Sequence, residues 1–200
     1  MPKPAAGRRA RIACVLLAAG GSSRLGRPKQ LVRRRARPLT LHALDAARAA
    51  GAAPLIVVVG ADGLRLRALV RRSGGIAVRA VANPRWREGL AKSLQVGLAA
   101  LPRGVDAVLV LLVDQPDVDA RALRRLCDAW RRQPGVAAAA YYERRPGVPA
   151  ILPRKTWSSV RGLHGDVGAR ALLRASAKLT LVSMPEAAFD VDTPADLARL

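Results

Sequence analysis

The 200-residue sequence predicts an α/β protein with a three-layer α/β/α sandwich, a mostly parallel sheet and a small antiparallel excursion. Apolar, β-branched runs alternate with Ala-, Leu- and Arg-rich segments of helical period, which is typical of βαβ units. The runs are apolar along their whole length. This indicates parallel strands whose two faces are both covered by helices.

The alternation places five strands and four helices in order along the first two thirds of the chain. Short β-branched runs predict the strands at residues 12–17, 54–59, 76–82, 107–113 and 136–142. Apolar residues at helical spacing predict the helices at residues 40–50, 63–72, 91–101 and 119–132. Each helix is expected to connect two parallel strands.

The pattern changes after residue 142. A turn-rich link over residues 142–147 precedes an apolar run at 148–152, which predicts a hairpin and therefore an antiparallel excursion. Helices around 153–160 and 167–175 and a strand at 178–183 follow. A last helix is expected to start at Thr193-Pro194.

Length and composition indicate one soluble domain. A domain takes about 100–200 residues, so we expect a flexible basic tail at residues 1–11 and a single domain at 12–200. Half of the residues are hydrophobic, which excludes a disordered chain. No apolar run approaches the roughly 18 residues of a membrane span. The two cysteines, Cys14 and Cys127, fit neither a metal site nor a disulfide framework, which favours the cytoplasm.

The charge of +21 raises the alternative of a polynucleotide-binding protein. The arginines are scattered through the helical segments, and aromatic residues, the usual stacking platforms for bases, make up 3% of the chain. We therefore expect a solvated basic surface that attracts anionic ligands, without binding to nucleic acid or membrane.

A Gly- and Ser-rich loop follows the first strand. In an open parallel sheet, ligands bind beyond the carboxyl ends of the strands, where small residues let backbone N–H groups approach phosphates. Gly20, Gly21 and Gly26 permit that approach, and Arg24 and Lys29 add cations. The loop matches neither GxGxxG nor GxxxxGK[ST], which counts against a dinucleotide-binding dehydrogenase and a P-loop kinase.

Acidic residues predict a Mg²⁺ site at the same edge of the sheet. Asp114 ends an apolar strand, where a carboxylate has no packing role. Mg²⁺ is bound by one or two carboxylates together with phosphate oxygens and water. Asp190 and Asp192 lie at alternate positions of an extended segment and therefore face the same side, which makes this segment the source of a second ligand.

The motif Leu-Ala-Ala-Gly-x-Ser-Ser-Arg-x-Gly-x-x-Lys at residues 17–29 resembles the signature of the molybdenum-cofactor-type (MobA-like) nucleotidyltransferases. Within them, the chain is most similar to the molybdenum cofactor cytidylyltransferases, because Ala18-Ala19-Gly20 has the form of the cytidine-using members. The resemblance implies a Rossmann-like nucleotidyltransferase sheet in which the loop grips the triphosphate. It assigns catalytic roles to Arg24, Lys29 and Asp114, and Mg²⁺ binding to Asp114 and Asp192.

The resemblance also implies two groups of binding residues. The nucleotide would be bound by Leu17, Ala18, Ala19, Gly20, Gly21, Ser22, Ser23, Arg24, Lys29, Asn83, Gly89, Ser93 and Asp114. The acceptor would be bound by Gly147, Val148, Pro149, Asp166 and Arg170, with Asp166 also a candidate helix cap. The clearest cytidylyltransferases carry Gly-His-Pro where this chain has Gly147-Val148-Pro149, which puts the identity of the acceptor in question.

The implied activity is Mg²⁺-dependent transfer of CMP from CTP to the terminal phosphate of a molybdenum-pterin cofactor, with release of pyrophosphate. The expected partners are CTP or another NTP, the phosphorylated pterin and a recipient molybdoenzyme. Three alternatives stay open: guanylyl or other nucleotidyl transfer to a different phosphorylated acceptor, a non-catalytic molybdoenzyme maturation factor, and a polynucleotide binder.

Overall fold

The computed structural model describes residues 10–73 and 78–200, and the predicted sandwich is confirmed there. Within these ranges the strands are β1 (Ile12–Ala18), β2 (Arg33–Arg34), β3 (Arg37–Pro38), β4 (Leu55–Val59), β5 (Val78–Ala82), β6 (Ala107–Leu112), β7 (Ala137–Tyr142), β8 (Arg145–Pro153) and β9 (Leu179–Ser183). The helices are α1 (Leu39–Ala49), α2 (Gly63–Ser73), α3 (Leu90–Ala99), α4 (Ala120–Arg132), α5 (Trp157–Val160) and α6 (Ala169–Ala175).

Seven strands form the central sheet in the order β5-β4-β1-β6-β8-β7-β9, while β2 and β3 form a separate hairpin. The pairs β5-β4, β4-β1, β1-β6 and β7-β9 are parallel. Strand β8 runs antiparallel to both β6 and β7, which is the predicted excursion. The carboxyl ends of β1 and β6 therefore meet at one edge, beside the strand that reverses direction.

Alternating side chains of β1 supply two hydrophobic cores, one on each face of the sheet. Cys14 and Leu16 belong to the core that includes Leu44 of α1 and Trp130 of α4. Val15 belongs to the other core, with residues of α3, α5 and α6. Every residue of β1 is buried, as expected for a central parallel strand.

Helix α3 lies unusually close to the sheet because Gly97 has no side chain. A Cβ at Gly97 would lie 2.4 Å from Cγ1 of Val15 and 3.0 Å from Cγ2 of Val58. The glycine thus fixes the helix against β1 and β4, and the first turn of α3 is held near the carboxyl ends of those strands.

Several local predictions were wrong, mostly at turns. Glu143 and Arg144 form a two-residue turn with positive φ angles of 47° and 59°, the geometry of a tight hairpin turn. Strand β8 consequently begins at Arg145, and the predicted link at 142–147 is too long. The helix predicted at 153–160 is the single turn α5 after a 3-10 turn, and the last helix, Pro194–Arg199, is a 3-10 helix.

Parts of two predictions fall outside the described residues: positions 76–77 of the third predicted strand and positions 1–9 of the tail. At the end of that tail, the backbone N–H of Arg11 donates a 2.7 Å hydrogen bond to Asp106. The division into a tail and one domain stays a prediction. Within the described ranges, no helix has the length and apolar character needed to cross a membrane.

Candidate active site

A cavity of about 800 Å³ opens at the carboxyl ends of β1 and β6. Its wall combines the Gly-rich loop, the start of α3, the segment leading into α6 and the segment 190–192. The predicted site residues that line it are Leu17, Ala18, Ala19, Gly20, Gly21, Ser22, Ser23, Arg24, Lys29, Gly89, Ser93, Asp114, Val148, Asp166, Arg170 and Asp192. Three predicted residues do not line it: Asn83, Gly147 and Pro149.

The Gly-rich loop is held in place by Gln30, a buried residue that the sequence did not single out. Its Nε2 donates hydrogen bonds to the carbonyl oxygens of Ala18 (3.0 Å) and Gly20 (2.7 Å). Ser22 closes the loop further, because its Oγ accepts from the backbone N–H of Lys29 at 3.0 Å. These contacts preorganise the loop. Gln30 directly follows the last residue of the motif at 17–29, and this position was the sequence signal for including it in the site.

Lys29 stands at the centre of an ion-paired cluster. Its Nζ lies 2.8 Å from Oδ2 of Asp114 and 2.7 Å from Oδ1 of Asp192, while Arg24 contacts Oδ2 of Asp192 at 3.0 Å. Partial burial lowers the pKa of Lys29, but the charges and hydrogen bonds of the two carboxylates outweigh it and raise the pKa above its ordinary value. The fold thus brings together residues that are 163 positions apart.

The same cluster leaves carboxylate oxygens without partners. Oδ1 of Asp114 and Oδ1 of Asp190 are buried and accept no hydrogen bond from any described residue. Burial, followed by the negative charge of Asp114, raises the pKa of Asp190 to about 6. Both oxygens of Asp192, in contrast, are paired with Lys29 and Arg24, and the hydrogen bond from Lys29 is the main cause of its lowered pKa.

These residues fit a hard divalent cation such as Mg²⁺. An unpartnered buried carboxylate oxygen is a suitable ligand for such an ion, which binds oxygen almost exclusively. Within the described residues, no group of three or more His, Cys, Asp or Glu side chains is arranged to hold a metal. A bound Mg²⁺ would therefore need phosphate or water oxygens in addition to the protein carboxylates, as nucleotide-associated Mg²⁺ usually does.

Asn83 positions the start of α3 rather than lining the cavity. It is buried, and its Nδ2 donates a 3.0 Å hydrogen bond to Oγ of Ser93. Gly89 precedes the helix with a φ of 97°, and a Cβ there would lie 2.3 Å from the carbonyl carbon of Gly165. Both the positive φ and the close approach to Gly165 exclude a side chain at position 89. Gly89 therefore lets the loop before α3 pack directly against the loop before α6, and both loops line one side of the cavity.

The part of the cavity that was predicted to bind the acceptor combines an apolar wall with the cation of Arg170. Val148 is buried and lines the wall. Nη2 of Arg170 donates a 3.1 Å hydrogen bond to the hydroxyl of Tyr142, which holds the guanidinium in place. Asp166 does not cap α6: the helix starts after Gly168 and has no side-chain cap, so the predicted capping role is wrong.

Two residues that line the cavity, Trp86 and Arg87, were not among the predicted site residues. The Trp86 ring packs against the Gly-rich loop, since a Cβ at Gly21 would lie 3.0 Å from the ring. Arg87 lies over that ring, with Cζ 4.4 Å from its centroid. Both residues follow the Asn83-Pro84 turn at the end of β5, and this position was the sequence signal that could have predicted them as site residues.

A model of the MobA-like NTP transferase domain matches residues 14–180. The chain belongs to the MobA-like NTP transferase family. The family part of the sequence-based prediction is confirmed, and the matched range includes the Gly-rich loop and Asp114.

Two curated relatives are each 32% identical to this chain over part of its length. The chain is 32% identical over 154 residues to the 2-C-methyl-D-erythritol 4-phosphate cytidylyltransferase of Streptomyces avermitilis, covering 72% of this chain and 54% of that protein. It is 32% identical over 126 residues to the bifunctional protein GlmU of Sorangium cellulosum, covering 60% of this chain and 26% of GlmU. The matches thus span about half and about a quarter of these relatives.

A solved structure matches the family fold over nearly the whole chain. Rv0371c from Mycobacterium tuberculosis H37Rv is 30% identical, with a TM-score of 0.78 over 95% of this chain and 97% of Rv0371c. A manganese complex of the same protein matches with a TM-score of 0.75 at 28% identity, over 96% of this chain and 98% of that one.

Proposed function

We propose that this chain transfers CMP from CTP to the terminal phosphate of a molybdenum-pterin cofactor and releases pyrophosphate. One observation carries the nucleotidyl-transfer part: a preorganised Gly-rich loop, its cations Arg24 and Lys29, and the carboxylates of Asp114, Asp190 and Asp192 converge on one cavity. The base assignment is supported by Ala18-Ala19-Gly20 and by a relative that is a cytidylyltransferase.

The proposed nucleotide subsite runs along the loop. Backbone N–H groups of Gly20–Ser23 and the cations of Arg24 and Lys29 would contact the triphosphate. Ser93, which receives a hydrogen bond from Asn83, and Gly89 would contact the ribose or base. Because Lys29 stays protonated, it can exchange its carboxylate partners for phosphate oxygens without losing its charge.

Mg²⁺ would be held by Asp114 and Asp192, and when bound it would neutralise charge that develops on the phosphates. The manganese complex of Rv0371c supports a divalent ion in this fold. Asp114 offers the unpartnered Oδ1, whereas Asp192 would first release Lys29 or Arg24. Triphosphate oxygens provide the replacement partners for those two cations.

The chemistry requires alignment more than proton transfer. An oxygen of the acceptor phosphate would attack the α-phosphorus of CTP, and the bond from that phosphorus to the bridging oxygen would break, releasing pyrophosphate. A phosphate monoester is ionised near neutral pH, so no general base is needed. Lys29 and Arg24 would stabilise the charge that develops on the phosphates, and Arg170 would orient the acceptor phosphate.

Two observations favour a second acceptor class. Val148 supplies no hydrogen bond where the clearest cytidylyltransferases of the family carry His, and a relative with 32% identity acts on an alcohol phosphate. Cytidylyl transfer to an alcohol or sugar phosphate is therefore the alternative acceptor hypothesis for the same site.

Pyrophosphate release tests the proposal. Purified protein with Mg²⁺ is assayed with each of the four NTPs, in the presence of the molybdenum-pterin cofactor, an alcohol phosphate or a sugar phosphate. Release with CTP and the pterin is the expected result. Activity with GTP alone would reject the cytidine assignment, and activity with another acceptor would reject the pterin. Tight CTP binding without turnover would instead support a maturation factor.

A further inference from the structure

Arg87 differs from the other cations around the cavity. Lys29 and Arg24 are paired with carboxylates, and Arg170 is hydrogen-bonded to the hydroxyl of Tyr142. Among the described residues, no carboxylate lies within ion-pair distance of Arg87, and its guanidinium lies over the face of Trp86, with Cζ 4.4 Å from the ring centroid. The side chain is exposed at the cavity wall, so its charge is available to a ligand.

Trp86 gives this arginine a fixed platform. A Cβ at Gly21 would lie 3.0 Å from Cη2 of the indole, and a Cβ at Gly60 would lie 2.7 Å from its Cβ and Cγ. The ring is thus wedged between two glycines, one of which belongs to the Gly-rich loop. A guanidinium on an aromatic face is attracted to the ring while its N–H groups stay free to donate hydrogen bonds.

The charge balance of the cluster explains why such a residue is needed. Lys29 and Arg24 carry two positive charges, and Asp114 and Asp192 carry two negative charges within 3.0 Å of them. The loop cations are therefore neutralised before a nucleotide arrives. Arg87 sits over a ring that touches Gly21 in the middle of the loop, and it brings an uncompensated positive charge to the phosphate side of the cavity.

We propose that Arg87, held on the Trp86 ring, is a nucleotide-binding residue that contacts the triphosphate. This inference rests on the proposed function, because it needs an NTP in this cavity. It adds a third phosphate-contacting cation to Arg24 and Lys29, one that does not have to leave a carboxylate first. Arg87 should therefore increase affinity in proportion to the number of phosphates on the ligand.

The test compares Arg87→Gln with Arg85→Gln. Arg85 is two positions away, is exposed, does not line the cavity and is paired with Glu88 at 3.1 Å, so its variant controls for the loss of one surface charge. Dissociation constants for CTP, CDP, CMP and cytidine are measured by calorimetry with Mg²⁺ and without acceptor. Arg87→Gln should weaken CTP binding by about 10- to 100-fold and cytidine binding little, while Arg85→Gln binds like the wild type.

The variant Trp86→Leu tests the contribution of the Trp86 ring separately from that of the Arg87 charge. With Arg87 intact but unsupported, CTP binding should weaken while the circular dichroism spectrum stays unchanged. Equal CTP affinities for Arg87→Gln and the wild type would overturn the inference, as would an equal loss for CTP and cytidine, which would place Arg87 at the base. If the wild type binds neither CTP nor any other NTP, the proposed function itself fails; if it binds CTP and Arg87→Gln binds CTP equally well, only this inference fails.

Discussion

At the scale of single residues, Lys29 links the two halves of the catalytic proposal. It follows the Gly-rich loop in sequence, yet its ammonium lies between a carboxylate at the end of β6 and another near the end of the chain. The site described here is therefore a balanced set of charges rather than an open cationic pocket. Ligand binding has to rearrange these ion pairs. Substitutions of Asp114, Asp190 and Asp192 should therefore differ in their effects on turnover and on stability.

Asp114→Ala should reduce turnover by roughly 100-fold or more while the fold stays intact, because it removes a proposed metal ligand and a partner of Lys29. Pyrophosphate release measures the loss, and circular dichroism checks the fold. Asp117→Ala is the matched control: Asp117 lies on the same loop, pairs with Arg34 at 2.7 Å and does not line the cavity. Wild-type rates for Asp114→Ala with Mg²⁺ would contradict the assignment.

Asp190→Asn should stabilise the metal-free protein at neutral pH. Burial and the neighbouring carboxylates raise the Asp190 pKa from an ordinary 3.8 to about 6, so folding favours the protonated form. The favourable contribution is complete below about pH 4 and is lost as the pH rises through about 6. The Tm difference between variant and wild type in EDTA should therefore be near zero at pH 4 and positive above pH 7.

Asp192→Asn should change the Tm in the opposite direction in the same experiment. The hydrogen bond from Lys29 lowers the pKa of Asp192, so its ionised form stabilises the fold above the ordinary carboxyl pKa. This variant should have a lower Tm than the wild type at neutral pH. A Tm shift of the same sign for both variants would show that the two carboxylates are not held in these different environments.

At the scale of elements, the parallel strands and their helices were predictable because the local sequence specifies them: the strands are continuous apolar runs, and the helices carry apolar residues at helical spacing. Both hairpin turns were missed or misplaced for one reason: Arg35-Ala36 and Glu143-Arg144 adopt positive φ angles without Gly or Asn. In the site, the motif predicted the loop, and the carboxylate at the end of an apolar strand predicted Asp114; both line the cavity. Nothing local predicted that Gln30 is buried under the loop, because that depends on tertiary packing.

Gly97→Ala in α3 should destabilise the fold by about 1–3 kcal/mol, because the new methyl group would overlap Val15. The loss should appear although alanine has the higher helix propensity. Gly63→Ala in the first turn of α2 is the control, since a Cβ there would lie 3.5 Å from Val59, an ordinary contact. Urea unfolding measures both, and equal stabilities for the two variants would refute the close packing of α3.

At the scale of the whole molecule, the charge of +21 sets the background for every anionic ligand. The site itself is close to neutral before a ligand binds, because its acids offset its loop cations. The excess therefore resides mainly on the surface, where it acts over long range. The positive surface charges should repel one another and so destabilise the folded state, and they should increase the rate at which nucleotides encounter the protein.

Raising NaCl from about 10 mM to about 150 mM should increase the Tm, because the Debye length falls from about 30 Å to about 8 Å and surface repulsion is screened. Differential scanning fluorimetry measures the change. Sodium fluoride at equal ionic strength distinguishes screening from chloride binding. A Tm that falls with both salts would show that attractive pairs, rather than repulsion, dominate the surface.

The contact between Arg24 and Asp192 joins residues 168 positions apart. During synthesis, the Gly-rich loop and most of the sheet are made long before Asp192 emerges. The nascent chain thus passes through a stage in which Lys29 and Arg24 have no partner in Asp192 and the sheet edge carries a net positive charge. The charged cluster is therefore completed late in translation, after the loop and the strands that support it have been made.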